Sequence, residues 1–173
     1  ILTNITCYDN KYGILLLVSD SNTLTNITCY DNKYGILLDH QSDSNTLTNI
    51  ISHNNSVHGI YLGLSDSNTL TNITSYDNSK RGIYLSNSSD NNLTDIKTYN
   101  NNVSEIYIGS NSINNTFKNI QVASYPTNIS FIYDSSPFSG YIEIDGVDSP
   151  PPDPSGLGLK NISNCVYITN SSG

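Results

Sequence analysis

Apolar residues return along this chain at a fixed spacing, with polar turns between them. The segment LTNITCYDNKYGI occupies residues 2–14 and again residues 24–36. Related segments begin at Leu47, Leu70, Leu93 and Phe117, so successive starts lie 22, 23, 23, 23 and 24 residues apart. A period of this size predicts a solenoid in which each repeat packs on its neighbours.

Each repeat contains two short alternating patterns, Leu24-x-x-Ile27-x-Cys29 and Ile36-x-Leu38. Alternation with period two predicts β-strands with one buried face. The Asn, Asp, Ser and Gly residues between the patterns favour turns. The inward columns, meaning equivalent positions of successive repeats, are Ile14, Ile36, Ile60, Ile83 and Ile106, and Leu16, Leu38, Leu62, Leu85 and Ile108. The pattern therefore predicts an all-β solenoid of about five coils over residues 1–122.

The first half of the unit also fits a leucine-rich repeat, whose period is similar. The second half decides between the two architectures. It reads GIYL followed by SDSNT, which is a second strand and a turn rather than a helix. We therefore prefer a parallel β-helix.

Asparagine and glycine recur at fixed places in the turns. Asn10, Asn32, Asn55, Asn78 and Asn101 form one column, and Asn22, Asn45, Asn68, Asn91 and Asn115 form another. Stacked Asn side chains can hydrogen-bond from coil to coil and satisfy turn backbone groups. Gly13, Gly35, Gly59 and Gly82 enter the second strand, where we expect a positive φ. Glu105 interrupts this glycine column, which predicts that the fifth coil differs there.

Cysteine usage gives no disulfide framework. Cys7 and Cys29 share an inward column with Ser52, Ser75 and Thr98. Parallel side chains on stacked strands meet the specific geometry of a disulfide poorly, so we expect free buried thiols. Cys165 has no evident partner.

The charge balance limits the classes of partner. The chain has a net charge of −8, with 7 Lys and Arg against 15 Asp and Glu. This argues against nucleic acid and against anionic lipid as partners. No apolar run is long enough to span a membrane.

Two kinds of outward column are candidates for binding. Asp20, Asp43 and Asp66 stack, and they either stay hydrated as an acidic turn or recruit a cation such as Ca²⁺; the hydrated turn is preferred. Tyr8, Tyr30, Tyr76 and Tyr99 with His53 form one aromatic column, and Tyr61, Tyr84 and Tyr107 form a second. We expect these aromatic columns to support the sheets first and to bind partners second.

Residues that depart from the repeat are where a catalytic site would be found. They are His40, His53, His58 and the pair Lys80 and Arg81, and they form no acid–base set. We interpret them as exposed turn residues and predict no catalytic residue and no cofactor apart from the Ca²⁺ candidate.

Sequons for N-glycosylation are dense in this Asn-, Ser- and Thr-rich chain. The candidate sites are Asn26, Asn54, Asn72, Asn87, Asn102, Asn128 and Asn161.

The units LTNITCYDNKYGILL, SDSN and GIYLSNSSDNNLT resemble the right-handed parallel β-helix repeats of the pectate-lyase-like superfamily. The NosD-like subset, found in secreted surface proteins of methanogenic archaea, is the most similar over residues 1–122. The resemblance implies a right-handed parallel β-helix and a superfamily of polysaccharide lyases, hydrolases and epimerases. The name of the subset implies copper, which three scattered His and no Met fit poorly.

Residues 123–173 lose the period and predict an irregular β tail. SYPTNISFIYD and GYIEIDGV read as strands, and residues 150–154 form a Pro-rich connector. We expect this tail to cap the solenoid, to begin a second β module or to reach a neighbouring subunit. The chain opens inside a repeat, as expected for a processed or excised part of a longer chain.

Together these observations predict a non-catalytic structural or adhesive protein at the cell surface or outside the cell. The first coil shows no cap, so we expect either an upstream stretch of chain or another subunit to cover it. In the second case head-to-tail contacts predict self-assembly into a filament, sheath or surface layer. The alternative is a carbohydrate-binding or polysaccharide-cleaving β-helix protein with glycans as partners.

Overall fold

The computed structural model describes residues 1–109, 111–123, 131–133 and 142–143, the side chains only as far as Gln121. Within these ranges every regular element is a β-strand. The strands are Leu2–Tyr8 (β1), Tyr12–Leu17 (β2), Thr23–Tyr30 (β3), Tyr34–Asp39 (β4), Thr46–His53 (β5), His58–Gly63 (β6), Thr69–Tyr76 (β7), Arg81–Ser86 (β8), Asn92–Tyr99 (β9), Ser104–Ile108 (β10), Thr116–Ala123 (β11), Phe131–Tyr133 (β12) and Ile142–Glu143 (β13). In the described part of the chain no helix is long and apolar enough to cross a membrane.

The strands form two parallel sheets, because each coil contributes one strand to each. The first sheet has the order β1-β3-β5-β7-β9-β11-β13, and the second has the order β12-β10-β8-β6-β4-β2. The register joins equivalent repeat positions, such as Leu24 with Leu47 and Ile36 with Ile60. The predicted parallel β-solenoid of about five coils is therefore confirmed.

The core lies between the two sheets and consists of the predicted columns. Leu24, Ile27, Ile36 and Leu38 are at most 1% exposed, and their counterparts in later coils are buried as well. Outward positions alternate with them along each strand, so the outer face of each sheet carries the side chains that are available for binding.

Both predicted Asn columns form buried hydrogen-bond ladders, in which each coil bonds the next. Asn32 donates its backbone N–H to Asn55 Oδ1 at 3.1 Å, and Asn45 donates in the same way to Asn68 Oδ1 at 2.8 Å. A third ladder was not predicted: Ser65 donates its backbone N–H to Ser88 Oγ at 3.1 Å. The turn backbone groups of one coil are thus satisfied by side chains of the coil that follows.

The reason predicted for the glycine column is wrong. None of these glycines has a positive φ; the left-handed corners of the coil are occupied by other residues, such as Asn26, Asp31 and Ser44. The glycines are required for space. A Cβ on Gly82 would lie 2.6 Å from both Asn101 Nδ2 and the Glu105 carbonyl oxygen of the next coil.

Glu105 differs from the other coils, as predicted, and the structure gives the reason. Its side chain is fully buried, and its carboxylate accepts hydrogen bonds from the backbone N–H and the Nδ2 of Asn101. Glu105 therefore supplies the acceptor that an Asn of the next coil supplies elsewhere in the ladder. In sequence the position two residues after Ala123 is Tyr125 rather than Asn.

The small inward column is also as predicted. Cys29 is fully buried, Cys7 is partly buried, and both are free thiols. Ser75 in the same column donates its hydroxyl to the Gly82 carbonyl oxygen at 2.9 Å. Burial raises the pKa of Cys29, and the neighbouring Cys7 thiol adds to this, so the Cys29 thiol stays protonated at neutral pH.

The strands predicted beyond residue 122 add to the two sheets. β12 pairs in parallel with β10, and β13 pairs in parallel with β11. Residues 124–130, 134–141 and 144–173 lie outside the described residues, and with them the Pro-rich connector, Cys165, Asn128 and Asn161. The role of the tail and its boundary at residue 123 stay predictions.

Candidate functional site

The aromatic column on the outer face of the first sheet is a stack of nearly parallel rings. Adjacent centroids lie 4.7–5.3 Å apart, and adjacent planes differ by 6–13°. The stack contains Tyr8, Tyr30, His53, Tyr76 and Tyr99. Because the ring faces cover one another, they are not open to a sugar ring, and the column supports the sheet as predicted. His53 is therefore a strand residue within this stack rather than an exposed turn residue.

The outer face of the second sheet is less regular and more varied in chemistry. One column starts each strand and runs Tyr12, Tyr34, His58, Arg81 and Ser104; a second, three residues further, runs Leu15, Leu37, Tyr61, Tyr84 and Tyr107. We call Tyr34, His58, Tyr61, Arg81, Tyr84 and Tyr107 the Arg81 face. It lies over the middle coils of the described solenoid.

Arg81 organises this surface through its guanidinium group. The guanidinium carbon lies 4.7 Å from the ring centroid of Tyr84 and 4.3 Å from that of Tyr107. Cation–π contacts at such distances hold a cation over a ring face. The structure gives Arg81 no carboxylate partner among the described residues. The charge of the chain's one arginine is therefore positioned by aromatic rings rather than by a carboxylate of the described residues.

His58 packs beside Arg81 and is 6% exposed. Its ring centroid lies 5.3 Å from that of Tyr84, at an edge-on angle of 67°. Burial, together with the charges of Arg81 and Lys80, lowers the pKa of His58 to about 4, so the imidazole is neutral at pH 7. His58 Nδ1 and Arg81 Nε are buried and have no hydrogen-bond partner in the described part of the chain. Such unpaired buried groups leave hydrogen-bonding capacity for an ordered water molecule.

Tyr61 continues the surface toward the other end of the strands. Its ring stacks on Tyr84 with centroids 4.8 Å apart. Burial raises the pKa of Tyr61, so the phenol is protonated and can donate a hydrogen bond. A Cβ on Gly63 would lie 2.9 Å from the Tyr61 hydroxyl and 2.8 Å from Asp39 Oδ1, so the glycine leaves room for both groups. At the same end His40 Nδ1 lies 2.9 Å from Asp39 Oδ2.

A stripe of lysines borders the Arg81 face, although the chain as a whole is acidic. Backbone hydrogen bonds place Lys11, Lys33, Val57 and Lys80 in one column of the turn that precedes the second sheet. Lys33 Nζ lies 5.6 Å from the ring centroid of Tyr34. The positive charges of Lys33, Lys80 and Arg81 are therefore collected along one side of an aromatic surface, which favours an anionic ligand.

The interpretation of His58 and Arg81 as exposed turn residues is wrong. His58 begins β6 and Arg81 begins β8, and their side chains pack on the sheet. The signal that could have found them is their position one residue before the glycine column, where earlier coils carry Tyr12 and Tyr34. His40 and Lys80 are exposed turn residues, as predicted.

The acidic column of Asp20, Asp43 and Asp66 is bound into the turns. Asp20 Oδ1 accepts the backbone N–H of Asp43 at 2.9 Å, and Asp43 Oδ1 accepts that of Asp66 at 2.7 Å. Across the described ranges no group of three or more His, Cys, Asp and Glu side chains could hold a metal ion. The carboxylates thus have a structural role, and the Ca²⁺ candidate stays a prediction without a preformed cluster.

A family model described as periplasmic copper-binding protein (NosD) matches residues 1–147. The chain belongs to the NosD family. No curated protein matches the sequence of this NosD-family chain. The family match confirms the resemblance drawn from the repeats.

Solved structures similar to the NosD-family chain include epimerases of alginate and mannuronan. A mutant of the periplasmic alginate epimerase AlgG has a TM-score of 0.65 and 20% identity, and the match covers 80% of this chain and 42% of that one. The A-module of the mannuronan C-5 epimerase AlgE6 from Azotobacter vinelandii has a TM-score of 0.58 and 12% identity, with 88% and 55% covered. At these identities the likeness shows the parallel β-helix fold, and the chain spans about half the length of each structure.

Proposed function

We propose that this chain is a non-catalytic binding module that holds an acidic polysaccharide on the Arg81 face. The observation that carries the proposal is the guanidinium of Arg81, which is held over Tyr84 and Tyr107 without a carboxylate partner among the described residues. Arginine suits carboxylate recognition, because its planar group donates paired hydrogen bonds. The exposed parts of the tyrosine rings offer apolar contact to sugar rings.

Three further observations support an anionic sugar chain. The lysine stripe places positive charge beside the rings. The surface runs over several coils, which suits a polymer better than a small molecule. The epimerases with the same fold are named for alginate and mannuronan, which are acidic polysaccharides, although the likeness itself extends only to the fold.

The setting that we propose is extracytoplasmic. The family is described as periplasmic, and so is the epimerase AlgG. The cell surface is the more specific location that we propose, since an extended polysaccharide-binding face would be useful there.

Copper binding is not part of the proposal. The family description names copper, but the described residues contain no metal-ligating group of three. The sequence has no Met, and its three His are dispersed: His53 lies in the stack of the first sheet, His58 lies on the second sheet, and His40 pairs with Asp39. These residues do not fit a copper centre.

The test is a comparison of binding by titration calorimetry. Alginate and polygalacturonate are titrated into the wild-type chain and into Arg81→Ala, Arg81→Lys and Lys97→Ala, with dextran as the neutral polymer. Lys97 is the matched control, because its Nζ lies 5.4 Å from the Tyr99 ring on the first sheet. A hydrogen bond to a charged group contributes about 1.5–3 kcal/mol, so Arg81→Ala should weaken binding ~10- to 100-fold.

The expected pattern is specific to one sheet. Acidic polymers bind and dextran does not, Arg81→Lys is intermediate, and Lys97→Ala binds like wild type. Equal losses of affinity for the acidic polymers in Arg81→Ala and Lys97→Ala would show unspecific electrostatic attraction and would contradict the proposal. Appearance of unsaturated uronate or of epimerised residues after incubation would instead show that the face is catalytic.

A structural role through head-to-tail self-assembly is the second candidate. The observation that favours it is the series of Asn and Ser ladders, in which successive coils offer equivalent acceptors to the coil before them, except where Glu105 takes the place of an Asn. Light scattering at rising concentration and electron microscopy test this role. A particle that remains monomeric at all concentrations contradicts it, whatever the polysaccharide titration shows.

A further inference from the structure

The sequons are a recurring motif that polysaccharide binding does not explain. Five of the seven candidates lie among residues whose side chains are described: Asn26, Asn54, Asn72, Asn87 and Asn102. A glycan needs a reachable Asn amide, and the transferase must also reach the hydroxyl two residues later. The two conditions separate these five sites.

Asn26 and Asn72 are exposed, but their amides belong to a side-chain ladder at a left-handed corner. Asn26 Nδ2 donates to Asn4 Oδ1 at 3.0 Å, while Asn26 Oδ1 accepts from Asn49 Nδ2 at 2.9 Å. Asn72 Nδ2 donates to Asn49 Oδ1 at 2.8 Å. Neighbouring coils are about 4.8 Å apart. A sugar on either nitrogen would therefore have to displace the Asn side chain of the adjacent coil.

Asn87 and Asn102 fail on the second condition. The hydroxyl in the Asn87 sequon belongs to Ser89, which donates to the Asn111 carbonyl oxygen at 3.2 Å and accepts the backbone N–H of Ile113 at 3.2 Å. The hydroxyl in the Asn102 sequon belongs to Ser104, which is fully buried. A transferase acting on the folded chain would have to open the turn at either site.

Asn54 meets both conditions. It is exposed, it occupies a left-handed corner with φ 54°, and its side chain makes no hydrogen bond to the described residues. Ser56 is exposed as well, and only its backbone is bonded, to the Asn32 carbonyl oxygen at 2.8 Å. The corner residues above and below, Asp31 and Asp77, are also exposed. The Asn54 amide therefore projects from a corner that leaves space for a sugar.

We propose that Asn54 is an N-glycosylation site of the folded protein. The donor is a lipid-pyrophosphate-linked oligosaccharide, and an oligosaccharyltransferase outside the cytoplasm catalyses the transfer. Asn54 Nδ2 forms a bond to the anomeric carbon of the first sugar, the bond from that carbon to the pyrophosphate oxygen breaks, and Nδ2 loses one proton. The lipid pyrophosphate leaves, and no oxidant or reductant is required.

The experiment uses the folded chain, a lipid-linked oligosaccharide and a purified transferase that glycosylates a short Asn-x-Ser peptide under the same conditions. Site-resolved mass spectrometry of the peptides reads the occupancy of each sequon. We expect the mass shift of one oligosaccharide on the peptide that contains Asn54. Asn54→Gln and Ser56→Ala should each lose that shift, whereas Asn26→Gln should keep it.

The urea-unfolded chain serves as the comparison. Unfolding removes the ladder, so Asn26 and Asn72 should become acceptors there and gain occupancy relative to the folded chain. A folded chain that carries no glycan at Asn54 while the short peptide is modified overturns the proposal. Occupancy at Asn26 or Asn72 of the folded chain that equals that of Asn54 overturns it as well.

Discussion

Replacing Asn78 by Ala tests whether the buried ladders hold the coils together. Asn78 is 1% exposed. Its Oδ1 accepts the backbone N–H of Asn55 at 3.0 Å and the Asn55 Nδ2 at 2.9 Å. Its Nδ2 donates to Asn101 Oδ1 at 2.8 Å and to Ser75 Oγ at 3.1 Å. Alanine removes these four bonds and a longer one from Nδ2 to the Ser52 carbonyl oxygen at 3.4 Å, and it leaves the Asn55 backbone N–H buried without an acceptor.

The expected cost follows from these contacts. A buried donor without a partner costs about 1–3 kcal/mol, and each other lost hydrogen bond costs about 1 kcal/mol unless its partner finds a new one. We expect Asn78→Ala to lower the free energy of unfolding by about 3 kcal/mol. For a chain of this size the melting temperature should fall by about 6–12 °C.

Urea unfolding followed by circular dichroism measures the change, with Ser79→Ala as the control. Ser79 is the next residue, is exposed, and its side chain makes no hydrogen bond within the described residues. Its replacement should change the free energy of unfolding by less than about 0.5 kcal/mol. If the two variants unfold within that margin of each other, the ladder does not stabilise the stack and the reasoning fails.

Other perturbations test the ionisable and the closely packed positions. Burial raises the pKa of Glu105 to about 6, so the stability contributed by its protonated form is present below about pH 4.5 and lost as pH rises through 6. This loss, about 2 kcal/mol at 1.4 kcal/mol per pH unit, should be absent from urea titrations of Glu105→Gln. The pKa of His58 is lowered to about 4, so its contribution is present above about pH 6.5 and lost as pH falls through 4. His58→Gln should therefore make the chain more resistant to acid, and a variant as acid-sensitive as wild type would contradict the burial of His58. Gly59→Ala should lower the free energy of unfolding by about 3 kcal/mol or more, because the added Cβ would lie 2.7 Å from the Gly82 carbonyl oxygen; a stable variant would disprove the steric account. Cys29 should react with a maleimide only after unfolding, since it is buried and its pKa is raised, and rapid labelling of the folded chain would count against this.

The solenoid could be predicted because its information is repeated. A column such as Ile36, Ile60 and Ile83 states the same inward position several times, and the sheets simply place equivalent residues side by side. The Asn ladders followed from the same logic. Where a position recurs, the sequence determines both its face and its neighbours.

The glycine column shows where repetition is not enough. A glycine that recurs in successive coils indicates that any larger side chain is unfavourable at that position. A positive φ and a close approach of the next coil both produce this pattern. The structure separates the two causes, since a Cβ on Gly82 would meet the Glu105 backbone. The Ser ladder could not be predicted for a similar reason, because the sequence does not show whether the hydroxyl of a turn Ser points inward or outward.

The Arg81 face could not be predicted from single columns. Arg81 contacts Tyr84 on its own strand and Tyr107 one coil further, so the contact joins different columns. Such diagonal neighbours depend on rotamers and on the offset between coils. The sequence did mark Arg81 as a departure from the repeat, but it did not reveal which rings would hold its charge.

The two Asn ladders have a direction, and this bears on how such a chain can grow. In both, each coil donates its turn N–H to the coil that follows, and Asn101 finds its acceptor in Glu105 of its own coil. A duplicated unit placed before Asn101 would inherit an acceptor from the coil after it and supply one to the coil before it. In the ladder that ends at Asn101, a unit added after Glu105 would meet an acceptor position that is already filled, whereas the other ladder continues to Asn115. Gene duplication is therefore expected to lengthen the chain on the amino-terminal side of Glu105, where residues 2–14 and 24–36 are identical copies.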